Sequence, residues 1–155
     1  MKIKKIFIFI TLLIFISSCG RFSNKETEGS KDNTSRIVCV SKQLNEIIFA
    51  LGAGDKIVGV DLSSTYPPDL KKLPTVGYHR LLSAEGIISL NPTLVIHDGN
   101  IAPASVLPQL EKVGIPVKEI HSPTTIDSTK ILIRNVAKEF GAKKKAEEII
   151  AKHDA

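Results

Sequence analysis

The chain has no tryptophan, a single methionine and two cysteines, and aromatic residues make up only 5% of it. Two cysteines, Cys19 and Cys39, cannot build a disulfide scaffold, and no Cys or His cluster has zinc-site spacing. Hydrophobic runs are short as well. The longest, residues 6–16, falls well below the roughly 20 residues that a membrane-spanning helix needs. Catalytic signatures are missing: there is no GxSxG elbow, no phosphate-binding GxxxxGK[ST] loop and no GxGxxG. Ser, His and Asp occur in no arrangement that spacing joins into a triad. The one glycine-rich turn, Leu51-Gly52-Ala53-Gly54-Asp55, follows a helical pattern and reads as a helix stop. Binding, not catalysis, is the expected class. The formal charge of +5 is mild too, because Lys2, Lys4 and Lys5 supply three of those charges and leave +2 for the remainder. No nucleic-acid partner is expected from that balance.

What is present is the composition of one globular domain: 155 residues, 43% hydrophobic and 24% charged. Residues 1–18 pair a cationic start with a short apolar core, the pattern of a secretory signal. They run into Ile16-Ser17-Ser18-Cys19, which resembles the lipobox of bacterial lipoproteins. That resemblance implies cleavage before Cys19, lipidation of its sulfur and a membrane anchor. Residues 19–35 are polar apart from Phe22 and read as a tether that cannot bury enough apolar surface to order itself. Cys39, inside an apolar run, reads as a small core residue.

From Arg36 onward strand and helix patterns alternate. Residues 36–40 are a β-branched run expected as a buried strand, and residues 57–60, 94–97 and 117–120 are expected as further strands. Leu44, Ile47, Ile48 and Leu51 share one helical face, which Gly52 ends. Further helices are expected from Ser83, over residues 106–113, over 126–140 and, strongly charged, over 143–155. Residues 61–82 read as a long polar loop. The alternation predicts an α/β fold with a parallel sheet flanked by helices. Ligands of such sheets sit beyond the carboxyl ends of the strands, at Ser41, residues 61–82, 98–102 and 121–125.

Within that edge lie Ser64-Thr65-Tyr66-Pro67-Pro68 and Leu73-Pro74-Thr75-Val76-Gly77-Tyr78-His79-Arg80-Leu81-Leu82-Ser83-Ala84-Glu85-Gly86-Ile87. With IVGVD at 57–61 and NPTLVI at 91–96, they make the chain resemble the haem (hemin) branch of the substrate-binding lipoproteins of ABC importers. The framework is shared with siderophore- and cobalamin-binding relatives, whereas the Val-Gly-Tyr-x-Arg-x-Leu-Ser-Ala-Glu-Gly run is narrower. The resemblance implies the N-terminal lobe of a two-lobe binding protein over residues 36–141, with 142–155 the start of the inter-lobe helix and the second lobe absent. It implies ferric haem as transported ligand, no catalytic cofactor, an ABC permease with its ATPase as partners, and an extracytoplasmic, membrane-anchored location. A ferric-siderophore or cobalamin carrier, or an inactive truncated remnant, are the alternatives.

In that branch the tyrosine of the Val-Gly-Tyr run ligates the iron, which here is Tyr78. A phenol is not an anion at neutral pH, but Fe³⁺ and a neighbouring cation both favour the phenolate. The bland alternative is a loop tyrosine hydrogen-bonded to backbone. Arg80 is expected to stabilise the phenolate or to pair with a haem propionate. His79 is a second ligand or a hydrogen-bond partner, although neighbours in an extended loop tend to point apart. Tyr66 either packs its loop or stacks on porphyrin, and His97 and His121 are expected as polar strand-end residues. Relatives dock an exposed glutamate on the permease, a role that falls to Glu85. Its simpler role is to favour a helix N-terminus.

Overall fold

The computed structural model describes residues 35–121 and 125–153. The expectations for the signal segment, for Cys19 and for nearly all of the tether lie outside the described residues. In chain order the elements are β1 (Ile37–Val40), α1 (Lys42–Ala50), β2 (Ile57–Val60), β3 (Gly77–Tyr78), β4 (Leu81–Leu82), α2 (Ala84–Ile88), β5 (Leu94–His97), α3 (Val106–Lys112), β6 (Val117–Glu119), α4 (Ile126–Phe140) and α5 (Lys143–His153). Two 3-10 turns, Gly54–Lys56 and Pro68–Lys72, punctuate the connections.

The strands of the main sheet run parallel in the order β2-β1-β5-β6. β1 is apolar throughout because both of its faces are covered. Its side chains alternate, Ile37 and Cys39 entering one core with Leu44, Ile48, Leu132 and Val136. Val38 and Val40 enter the other with Ala84, Ile87, Val106 and Leu110. Helices α1, α4 and α5 thus cover one face, and α2 and α3 the other. Cys39 is a core residue, as expected, and burial pushes its thiol far above the ordinary range, so it stays protonated.

The helix boundaries follow from local chemistry. Ser41 Oγ accepts from the Leu44 amide at 3.3 Å and caps α1, and Ser83 Oγ does the same for α2 through Gly86. The charged α5 is not solvated on every side. Ala146 and Ile150 are buried, while Arg134 on α4 donates two hydrogen bonds, at 2.8 and 2.9 Å, to Glu147.

The segment expected as one long loop carries more structure than its composition suggests. Residues 74–76 run beside β2, the Val60 amide donating to Pro74 O and the Val76 amide to Val60 O. Leu70 in the second 3-10 turn is fully buried. β3 and β4 then form an antiparallel hairpin with Gly77 opposite Leu82 and Tyr78 opposite Leu81. Two-residue strands are too short to leave a periodic pattern, which is why they read as loop.

The strand order places the crossover from β1 to β2 on one side of β1 and β5 on the other. A crevice is therefore left outside the carboxyl ends of β1 and β5, where ligands of open α/β sheets bind.

Candidate functional site

A cavity of about 450 Å³ opens at that crevice, with Ser41, Ser63, His79, Asp98 and Asn100 among its walls. These residues come from three of the four expected sheet-edge segments. Of the fourth, the exposed His121 ring pairs with Glu119 at 3.0 Å. Ser41 ties the two strand ends together, its hydroxyl donating to Asp98 Oδ2 at 2.8 Å. The other Asp98 oxygen accepts from the Asn100 amide at 3.0 Å.

Asp61 follows β2 directly and has no exposed surface. Its Oδ1 accepts from Ser64 Oγ at 2.6 Å, and its Oδ2 from the Ser63 amide at 3.1 Å and from the Ser63 hydroxyl. Ser64 Oγ in turn accepts from Asn45 Nδ2 at 2.8 Å, and the same Asn45 nitrogen donates to Cys39 O at 3.0 Å. A buried carboxyl is tolerated only when hydrogen-bonded in this way. The network anchors Asp61 to α1 and β1. His79 Nδ1 lies 3.3 Å from the same Oδ2, so a hydrogen bond there requires the imidazole proton on Nδ1.

Tyr78 sits at the end of β3 and is 44% exposed. Both of its neighbours are tied. The Leu62 amide donates to Gly77 O at 2.9 Å, and the Ala102 amide to His79 O at the same distance. Contrary to the expectation for an extended loop, the Tyr78 and His79 rings lie together, centroids 4.2 Å apart and planes inclined by 52°. The tight hairpin turn, not an extended strand, sets that approach. Arg80 is exposed beside them. Among the described residues six large apolar side chains are exposed, and four of them, Leu62, Tyr66, Tyr78 and Leu81, come from this one segment.

The other expected residues sit elsewhere. Tyr66 borders a separate groove formed with Ile47, Ile133 and Ile149. Glu85 is exposed in the first turn of α2. His97 is buried at the end of β5, accepting at Nδ1 from the Gly99 amide at 3.0 Å, and burial pushes its pKa down. Cys19 lies outside the described residues. Asp61, Ser63, Ser64 and Asn45 were not singled out from the sequence. An acid directly after a strand, with serines two and three residues on, was the signal available for them. Among the described residues no group of three metal-ligating acidic, His or Cys side chains occurs.

A profile of the family described as periplasmic binding protein matches residues 37–155. RhuT from Roseiflexus sp. RS-1, a periplasmic haem-binding protein solved in apo form, superposes with a TM-score of 0.69 and 47% identity. The match covers 76% of this chain and 45% of that one. YvrC of Bacillus subtilis (strain 168), an uncharacterized ABC transporter substrate-binding lipoprotein, is 34% identical over 122 residues, 77% of this chain and 38% of its own. The vitamin B12-binding protein of Yersinia pestis (strain Pestoides F) is 36% identical over 92 residues, 59% of this chain and 32% of its own. The chain thus spans less than half the length of each.

Proposed function

Because the chain belongs to the periplasmic binding protein family, we propose that it binds ferric haem at the carboxyl edge of its sheet, as part of the substrate-binding component of an ABC importer. The observation that carries this reading is the placement of Tyr78: an exposed phenol on a hairpin tied at both flanks, paired across the hairpin with exposed Leu81. A flat apolar porphyrin suits such a surface. Tyrosine is an established axial ligand of ferric haem, and the metal itself favours the phenolate. Arg80, next along the turn, supplies a cation for a propionate or for the phenolate oxygen. His79 supports Tyr78 from the side. The role is to bind and deliver, with haem as cargo.

The remaining parts follow from the same reading. Cys19 carries the lipid that holds the protein at an extracytoplasmic membrane surface, and residues 142–155 begin the helix that leads out of this lobe. Glu85, exposed on α2, faces the permease that works with its ATPase.

Similarity to the vitamin B12-binding protein favours one competing ligand, a corrinoid. Titration of the chain with ferric haem and with cyanocobalamin, each repeated on Tyr78→Ala, separates the two. Saturable haem binding is expected, weakened at least about ten-fold in the variant, a loss of about 1.4 kcal/mol. Cobalamin binding that is indifferent to Tyr78→Ala would replace haem with a corrinoid.

A further inference from the structure

We propose that Asp61 is a positioning residue that makes Tyr78, and not its neighbour His79, the side chain presented to the metal. The inference rests on the haem reading above. Imidazole is the commonest metal-ligating side chain, so an untethered histidine beside Tyr78 would compete for the iron. Here the ring is tethered. Its Nδ1 is 3.3 Å from Asp61 Oδ2, and His79 is half-buried where Tyr78 is exposed. Asp61 cannot follow a moving imidazole, because Ser63 and Ser64 hold both of its oxygens and Asn45 links Ser64 to β1. A carboxylate behind a histidine often supports metal ligation through Nε2. In this site the tether acts differently, drawing the ring toward the buried end of β2 and against the Tyr78 ring at 4.2 Å. His79 thereby buttresses the phenol, leaving Tyr78 as the more exposed donor of the pair.

The test compares the ferric-haem spectra of the full chain, Asp61→Ala, His79→Phe and the double variant, with Tyr78→Ala alongside. Nitrogen shifts of the His79 ring are followed by NMR in the haem-free proteins. The wild-type chain should show one tyrosinate-type species and an Nδ1-protonated imidazole. Asp61→Ala should add an imidazole-ligated species and release the tautomer preference. His79→Phe alone should keep the tyrosinate spectrum, and in the double variant it should remove the added species. Rescue of that kind does not follow from general destabilisation. Unchanged spectra and unchanged ring shifts in Asp61→Ala would overturn the proposal, as would loss of the tyrosinate spectrum in His79→Phe. Should Asp61→Ala fail to fold, Asp61→Asn carries the same comparison, because it keeps the size of the buried group. A wild-type spectrum in Tyr78→Ala would defeat the haem-ligand reading itself, and with it the selection, while the haem-free ring shifts would still report whether Asp61 holds His79.

Discussion

His97 shows how one residue couples burial to pH. It is 4% exposed at the end of β5, and its Nδ1 already accepts a hydrogen bond from the Gly99 amide. Protonation would break that bond and place a charge in the interior, so desolvation holds its folded pKa below the ordinary 6.5, against the opposing pull of Glu119 and Asp98. A histidine depressed in this way contributes stability that is complete above about 6.5 and is lost as pH falls through the lower folded value. Urea midpoints measured from pH 7.5 down to 5 should therefore fall more steeply for the wild-type chain than for His97→Gln. Equal slopes would show that His97 carries no such linkage. The contrast between His97 and Asp61 also shows what a sequence discloses at this scale. His97 closes an apolar run, so its place at a strand end was legible. Tyr78 could be singled out as a candidate because its whole motif is contiguous. Asp61 was not, since its partner His79 lies eighteen residues away and reaches it only through the fold of the hairpin.

At the scale of elements, the β3–β4 hairpin is what presents the phenol, and Gly77 is what permits the hairpin. Its φ is +101°, and a Cβ there would stand 3.1 Å from Leu81 O. Gly77→Ala should cost about 1–3 kcal/mol of local strain. Taken up by the turn that holds Tyr78, this should weaken haem binding by roughly ten- to a hundred-fold. Gly52 provides the control: its φ is +79°, yet a Cβ would meet nothing within 4 Å, and it lies at the opposite end of α1 from Ser41. Gly52→Ala should lower the melting temperature and leave haem affinity unchanged. Equal loss of affinity in both variants would mean that the hairpin has no special part in binding. The elements that could be read beforehand were those long enough to repeat. α1, α4 and the buried strands satisfy that condition, but the two-residue strands at 77–78 and 81–82 do not. In α5 the density of charge hid an apolar stripe, Ala146 and Ile150, that seats it on the core.

For the whole molecule, one feature of topology organises the rest. A parallel sheet covered on both faces leaves only its edges for ligands, and the order β2-β1-β5-β6 opens a crevice between the ends of β1 and β5. The loops that meet there supply a polar wall, through Ser41, Ser63, His79 and Asp98, and the segment that carries His79 also exposes Leu62, Tyr78 and Leu81. The alternation of strands and helices made this edge legible in advance. The polar network behind it was not, because hydrogen bonds between Asn45, Ser64 and Asp61 join segments that only the folded sheet brings together. At this edge Tyr78 is proposed to ligate ferric iron through its phenolate. Resonance Raman spectroscopy of the ferric-haem complex, beside that of Tyr78→Phe, addresses it most directly, since the variant keeps the ring and removes only the oxygen. Iron–phenolate vibrations present in the wild-type chain and missing from Tyr78→Phe are the expected result; the same vibrations in both, or in neither, would contradict it.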